Sequence, residues 1–276
     1  MPTLSPSRAL DFQRCPLLFR LRVIDKVPEP PSPAAARGTL VHAVLERLFD
    51  LPRPERTVSA ALALVDPAYQ AICAKDPHIP GLFATEEERR DWLASAEPLI
   101  RAYFTWEDPT RLEPEARELF IEADLGDDDG LKLRGFIDRL DVAPGTGALR
   151  VVDYKTGRAP APRFAGEAEF QVSCYALALW KTRGVIPAML QLVYLGNGGA
   201  LLRFEPTQAN LETTEARLHA LLSAIVRTAE SGVWPPAKGP LCGWCAHQAL
   251  CPEFGGTPPE LPPDTLARLG LKAPLP

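Results

Sequence analysis

The sequence has little of what would place it in several common classes. No apolar run approaches the ~20 residues needed to cross a bilayer, and the first residues lack the basic, apolar and small-residue layout of a secretory leader. The expectation is a soluble cytoplasmic protein with no membrane partner. Basic charge is not in excess: 30 Lys and Arg stand against 35 Asp and Glu, for a formal net charge of −5. No global positive field would draw the chain onto a polyanion, so any nucleic-acid contact must come from local patches. There is no Gly-rich loop followed by Lys-Ser/Thr, which excludes a P-loop motor. Six cysteines in 276 residues are too few for a secreted disulfide scaffold; in a reducing compartment, clustered thiols more often bind metal. What is plentiful is apolar residues, 46% of the chain, and proline, 30 of them. The first supports one large domain or two small ones. The prolines gather at Pro28–Pro33, Pro235–Pro240 and from Pro258 onward, and read as linkers or surface turns.

The most informative stretch is Gly135–Gly157, GFIDRLDVAPGTGALRVVDYKTG. Two apolar-rich arms, Leu131–Val142 and Leu149–Lys155, flank Pro144-Gly145-Thr146-Gly147, which supplies turn chemistry for a β-hairpin. A turn centred between Gly145 and Thr146 places Asp138 opposite Asp153, with Cβ atoms roughly 5 Å apart. Asp153 and Lys155 alternate onto one face. Like charges at that spacing repel, and acids are costly among Ile137, Leu140, Val151 and Val152. A divalent cation between them removes both difficulties. Mg²⁺ or Mn²⁺ takes such oxygen ligands, activates water and stabilises charge on phosphate oxygens, and a lysine can orient the water or offset charge. The bland alternative is a solvated hairpin with an incidental acid on each arm.

Other segments are read around it. Leu4–Ile24 opens with Ser5-Pro6-Ser7 and continues as helix. Six basic residues against three acidic ones between Met1 and Arg37 give that stretch a local net charge of +3, suited to a phosphate backbone or to a solvated helix face. Arg37–Phe49 is an amphipathic helix, with His42 beside a stripe of Val41, Val44, Leu45 and Leu48. Residues 52–110 are helical, and Cys73 and His78 lack partners at ligand spacing. Glu118–Leu125 alternates as a strand; Glu122 is within conceivable reach of a metal but reads better as solvent-facing. An acidic turn covers Gly126–Gly130. Glu167–Arg183 is a helix with Gln171 and Tyr175 on one face and Phe170, Cys174, Leu177 and Ala178 toward the core. Met189–Gly196 and Ala200–Glu205 are strands joined at Asn197-Gly198, and Thr207–Glu230 is a long helix. Cys242, Cys245 and Cys251 follow a C-x₂-C-x₅-C spacing; with no second CxxC knuckle, Cys15 is the natural fourth thiol.

GFIDRLD followed by VVDYKTG resembles the core of the PD-(D/E)xK nucleases, in the RecB-like exonuclease branch, with Ile137 where the family motif carries proline. The resemblance implies an α/β fold, a restriction-endonuclease-like mixed central sheet flanked by helices. It implies a single nuclease domain over residues 1–256, with a helical insertion at 51–112 and a Pro-rich tail at 257–276. It places the metal-binding residues at Asp138, Asp153 and, through GTLVHAVLE, at His42, with Lys155 as the catalytic lysine. Gln171-x₃-Tyr175 matches an element that contacts DNA near the scissile phosphate or buttresses the site. AddB-type and CRISPR-associated relatives of this branch carry one N-terminal cysteine and a C-terminal C-x₂-C-x₅-C, implying a [4Fe–4S] cluster on Cys15, Cys242, Cys245 and Cys251, favoured over zinc. The implied activity is Mg²⁺- or Mn²⁺-dependent cleavage of DNA, as an exonuclease on single-stranded ends in repair or processing, with a helicase or a CRISPR or repair protein as partner. The alternative from another class is a non-catalytic DNA-binding or redox-sensing iron–sulfur protein on the same scaffold.

Overall fold

The computed structural model describes residues 1–126, 130–161 and 165–271. Most of the acidic turn expected at Gly126–Gly130 lies outside them. Six strands form one mixed sheet: β1 (Thr3–Leu4), β2 (Pro114–Asp124), β3 (Lys132–Val142), β4 (Leu149–Lys155), β5 (Met189–Tyr194) and β6 (Ala200–Phe204). The hairpin register is the expected one. Arg139↔Val152, Leu140↔Val151, Asp141↔Arg150 and Val142↔Leu149 pair antiparallel. The ladder stops there, one position short of Asp138 and Asp153. From that point β4 pairs with β5 through Lys155↔Tyr194, while β3 continues against β2 to Asp124↔Lys132. The same edge of β3 regains a partner only at its start, where Thr3 and Leu4 pair in parallel with Lys132 and Leu133. Residues 134–138 of β3 therefore line a split in the sheet.

One face of the sheet is covered by α1 (Pro6–Arg14), α8 (Gly166–Arg183) and α9 (Gln208–Ser231). Phe12, Leu133, Ile137, Leu140, Val151, Phe170, Leu177, Leu192 and Leu218 form that core. The other face is covered by α3 (Pro33–Leu48) and by α4 (Val58–Ala63), α5 (Val65–Lys75), α6 (Glu86–Ala94) and α7 (Glu97–Trp106). Leu40, Val44, Ile72, Trp92 and Ile100 pack there onto Val152, Tyr154 and Val193 of the sheet. The helices of residues 51–112 thus build the sheet's second covering layer together with α3.

Three local expectations are revised. The N-terminal helix is broken: Cys15 is extended at φ −161°, ψ 109°, because the residue before a proline is pushed out of the helical region. A short helix, α2 (Pro16–Phe19), and a π turn over Arg20–Ile24 follow. The helix carrying His42 starts at Pro33, inside the proline run, since proline needs no N–H partner at a first helical position and the Ser32 side chain caps Ala35 N–H at 3.1 Å. The proline-rich stretch after Pro258 does not run free. Leu261, Leu266 and Leu269 pack on the main core, and Arg268 donates to the Ile24 carbonyl at 2.9 Å. The Asn197-Gly198 turn forms as expected, with positive φ at both residues (56° and 85°).

Beneath the sheet lies a buried ion network that the sequence did not announce. Arg139 is wholly buried. It donates to Glu107 at 2.7 and 2.8 Å, to Asp141 at 3.0 and 3.1 Å and to the Tyr154 hydroxyl at 2.6 Å. Burial opposes the Glu107 charge, but Arg139 and Arg150 outweigh it and hold that carboxyl below its ordinary value. Arg139→Met leaves two buried acids short of their main counter-charge. The expected loss is about 3–5 kcal/mol, read as a lower urea midpoint, with partial recovery when Glu107→Gln and Asp141→Asn are added.

Candidate active site

The split in the sheet has a local cause. Tyr154 N–H, which would continue the β3–β4 ladder, donates instead to Asp138 Oδ2 at 2.6 Å. A side-chain carboxylate has taken the place of a strand carbonyl, and the strands part. A second irregularity lies across β3. Arg117↔Arg139 and Leu119↔Ile137 pair normally, but Glu118, which stands between them opposite Asp138, has φ +46°. A non-glycine residue in that region costs on the order of 1–3 kcal/mol and clusters at functional sites. Its effect is visible in the core. Ala116 and Leu140 face the α8 side before the irregularity, and Leu119, Ile121, Leu133 and Ile137 face it afterwards. The alternation slips by one residue where Glu118 and Asp138 meet.

His42, Glu118 and Asp138 converge there. Their ligand atoms all lie within 4.8 Å of one another, and His42 Nδ1 is 3.5 Å from Asp138 Oδ2. Burial alone would lower the His42 pKa, but Asp138, Asp153 and Glu118 outweigh it and raise it. Burial first and Asp138 second push the Glu118 carboxyl up. The sequence reading weighed Glu122 and passed over Glu118. Glu122 is an outward residue, as expected, paired with Lys132 Nζ at 2.9 Å. The signal for Glu118 was its register with Asp138, which only the β2–β3 pairing reveals.

Asp153 stands beside this group. Its Oδ2 is buried, 2.7 Å from Lys155 Nζ, and accepts no directed hydrogen bond. Its Oδ1 accepts from Gln171 Nε2 at 3.1 Å, and Lys155 Nζ donates to Gln171 Oε1 at 2.8 Å. Gln171 Nε2 also donates to the Tyr175 hydroxyl at 3.0 Å. The amide orientation is fixed by chemistry, since an ammonium only donates and a carboxylate only accepts. Tyr175 reaches this position because Gly135 has no side chain: a Cβ there would lie 2.7 Å from the Tyr175 ring. All six residues read from the sequence for this site, His42, Asp138, Asp153, Lys155, Gln171 and Tyr175, line one cleft. His42, Glu118, Asp138 and Asp153 offer one imidazole nitrogen and three carboxylates, a donor set that fits Mn²⁺ or Mg²⁺.

Three of the six basic residues of the N-terminal stretch are spent on ion pairs. Arg14 bonds Glu167, Arg20 bonds Asp25, and Arg22 bonds Asp11 and Glu29. The four cysteines of the expected cluster are free thiols, half-buried. Cys15 Sγ accepts from Ala237 N–H at 3.4 Å and Cys242 Sγ from Gly239 N–H at 3.3 Å. Leu17 N–H donates to the Pro235 carbonyl at 3.3 Å, which lays the Cys15 segment along the approach to Cys242. Among the described residues, the cysteines form no group within 4.8 Å like that of His42. A zinc site, with sulfurs ~2.3 Å from one ion, would need closer packing. No described helix is long and apolar enough to cross a membrane.

Asp153 makes a stability prediction. Aspartate ordinarily ionises near 3.8; here burial, then Asp138, push it up to about 6. Between those values the folded chain keeps a proton that the unfolded chain has lost. Its contribution to stability therefore falls as pH rises through that window and stays low above it. In EDTA, Asp153→Asn is expected to stabilise the protein by on the order of 2 kcal/mol at pH 8, with the gain fading toward pH 4, as read by thermal unfolding.

Comparison with known proteins agrees with this arrangement. The family model described as the PD-(D/E)XK nuclease superfamily matches residues 3–252. The Gene 69 proteins of Mycobacterium phages D29 and L5 are each 27% identical over 92% of this chain, covering 98% and 97% of their own lengths. A crystal structure of an Eubacterium rectale protein named "Putative exonuclease" superimposes with a TM-score of 0.56 at 15% identity, over 89% of this chain and 88% of that one. That likeness is one of fold. The match to the family model spans the split sheet, its carboxylates and the helix behind them, and the chain belongs to the PD-(D/E)XK nuclease superfamily.

Proposed function

We propose that this chain is a Mg²⁺- or Mn²⁺-dependent deoxyribonuclease of the RecB-like kind that hydrolyses single-stranded DNA from its ends. The observation that carries the reading is the convergence of His42, Glu118 and Asp138 with the Asp153–Lys155 pair in the sheet split. His42, Asp138 and Asp153, joined by Glu118, hold the metal. When bound, it supplies an activated water and stabilises charge on the phosphate oxygens. Lys155 offsets the charge of Asp153 and presents an ammonium to the attacking water or the phosphate. Gln171 fixes both ends of that pair, bonding Lys155 through its oxygen and Asp153 through its nitrogen. Tyr175 holds the Gln171 amide in place and closes one wall of the cleft.

In the same reading the chain is one nuclease domain, acting in the cytoplasm in DNA repair or processing beside a helicase or CRISPR partner. Cys15, Cys242, Cys245 and Cys251 hold a [4Fe–4S] cluster. Backbone N–H groups already donate to two of these sulfurs, Ala237 to Cys15 and Gly239 to Cys242, so both thiols border the same 237–239 stretch.

The test is cleavage of end-labelled single-stranded DNA with Mn²⁺ or Mg²⁺. Asp153→Ala and Lys155→Ala are each expected to lower the rate by on the order of 10²–10³-fold, the worth of a few kcal/mol of lost charge stabilisation. Linear strands should be consumed and circular ones spared. Cutting of circles would overturn the exonuclease assignment, and binding without cutting in any metal would overturn the nuclease. The cluster is tested separately. Anaerobic protein should be brown with about four irons per chain, and Cys15→Ala should be colourless. Zinc in place of iron would sink the cluster.

A further inference from the structure

We propose that Phe120 and Phe136 form a base-stacking platform that receives the single strand as it leaves the carboxylate cleft. This deepens the nuclease reading and rests on it. The two residues pair directly across β2 and β3. Their rings lie 5.3 Å apart between centroids at an interplanar angle of 55°. Both are more than half exposed, 52% and 54%. They point outward because of the slip at Glu118 and Asp138. Leu119, Ile121, Leu133 and Ile137 take the core side, which leaves Phe120 and Phe136 on the opposite face, the one covered further along by α3 and His42. The pair stands two residues from Glu118 and from Asp138. That is about 7 Å along the strands, or two base steps of a stacked strand.

The chemistry fits one occupant. Each phenyl ring offers a π-face that any base can stack on, so the contact is tolerant of sequence. A cation for the backbone is at hand. Arg134 lies two residues from Phe136 along β3, on the same strand face by the period of two, and no ion pair among the described residues includes it. Duplex DNA hides its base faces in its own stack, so the platform selects single strands and frayed ends. Two phenyl rings are far smaller than the roughly 1,000 Å² a stable protein–protein interface needs, which argues against a second copy of the chain as occupant.

The probe is a fluorescein-labelled single-stranded oligonucleotide, followed by anisotropy in EDTA so that nothing is cut. The Phe120→Ala/Phe136→Ala protein should bind about 10-fold more weakly or worse, the worth of one or two stacked bases. Phe120→Trp/Phe136→Trp should bind as wild type. An oligonucleotide with a run of abasic sites should lose as much against wild type and little more against the double alanine variant. Arg134→Ala should instead flatten the salt dependence by about one unit of slope. Equal thermal unfolding of the variants excludes misfolding. Unchanged binding by the double alanine variant, or abasic DNA binding wild type as well as intact DNA does, would overturn the platform. So would a wild-type dimer that the alanine variant abolishes, which would make the face a chain–chain contact. Cleavage of the same oligonucleotides with Mn²⁺ is scored apart. Phenylalanine-dependent binding without cleavage overturns the nuclease and leaves the platform; cleavage with phenylalanine-independent binding does the reverse.

Discussion

The backbone N–H of Tyr154 donates to Asp138 Oδ2 over 2.6 Å, and the geometry of the cleft follows from that bond. A backbone donor must be satisfied when buried, and a charged acceptor makes a stronger bond than a strand carbonyl. Once Asp138 supplies the acceptor, β3 and β4 need not stay together. The edge of β3 from residue 134 to 138 is left without a strand, and α8 fills it with Tyr175 against Gly135. Gln171 is then one helical turn away, placed over Asp153 and Lys155. The acid proposed as a metal ligand and the device that opens the sheet are the same side chain.

Charge is distributed unevenly across β3. Arg139, next to Asp138 along β3 and turned to the same α3–α7 layer, is wholly buried, and its guanidinium is committed to Glu107, Asp141 and Tyr154. It therefore offers little to the acids of the cleft. There Glu118, Asp138 and Asp153 gather beside Lys155, the ammonium paired with Asp153, with His42 drawn toward protonation. Three carboxylates drawn together in a partly desolvated split are an unfavourable state for the protein alone. The raised Glu118 and Asp153 values express that imbalance. The site stores negative charge that a divalent cation relieves, while the Arg139 network keeps the strands beneath it from yielding.

The hairpin was legible because its information is local. Turn residues set its centre, the period of two set the faces, and the register of Asp138 with Asp153 followed by arithmetic. Gln171 and Tyr175 were legible as a helix spacing, and Cys174 as core. Glu118 was not, because its place depends on the register of β2 with β3 and on a left-handed residue that no period predicts. The same slip hid Phe120 and Phe136, which read as ordinary alternating strand residues. Arg139 carried no signal of its own, because its partners Glu107 and Tyr154 come from the end of α7 and from β4. The Cys15 break was legible in principle from Pro16, but apolar periodicity on both sides of it argued for continuous helix.

The two ends of the chain bear on the cleft through α1. Leu17 N–H meets the Pro235 carbonyl, His247 meets Glu29 at 2.8 Å, and Arg268 meets the Ile24 carbonyl, so residues 17–29 are clasped by the C-terminal segment. The start of α1 stands at the other end of this stretch, with Pro6 3.8 Å from a Cβ built on Gly135, beside the Tyr175 ring. A cluster joining Cys15 to Cys242 would close a loop of more than 200 residues, which in the chain-entropy model is worth about 5 kcal/mol or slightly more. Its larger consequence is positional. It would fix the helix that backs the Gly135–Tyr175 contact, and with it the Gln171 amide that aligns Lys155 and Asp153. On the proposed reading, a cluster-bound closing segment would therefore be coupled through α1 to the proposed hydrolytic centre rather than stand as a separate site.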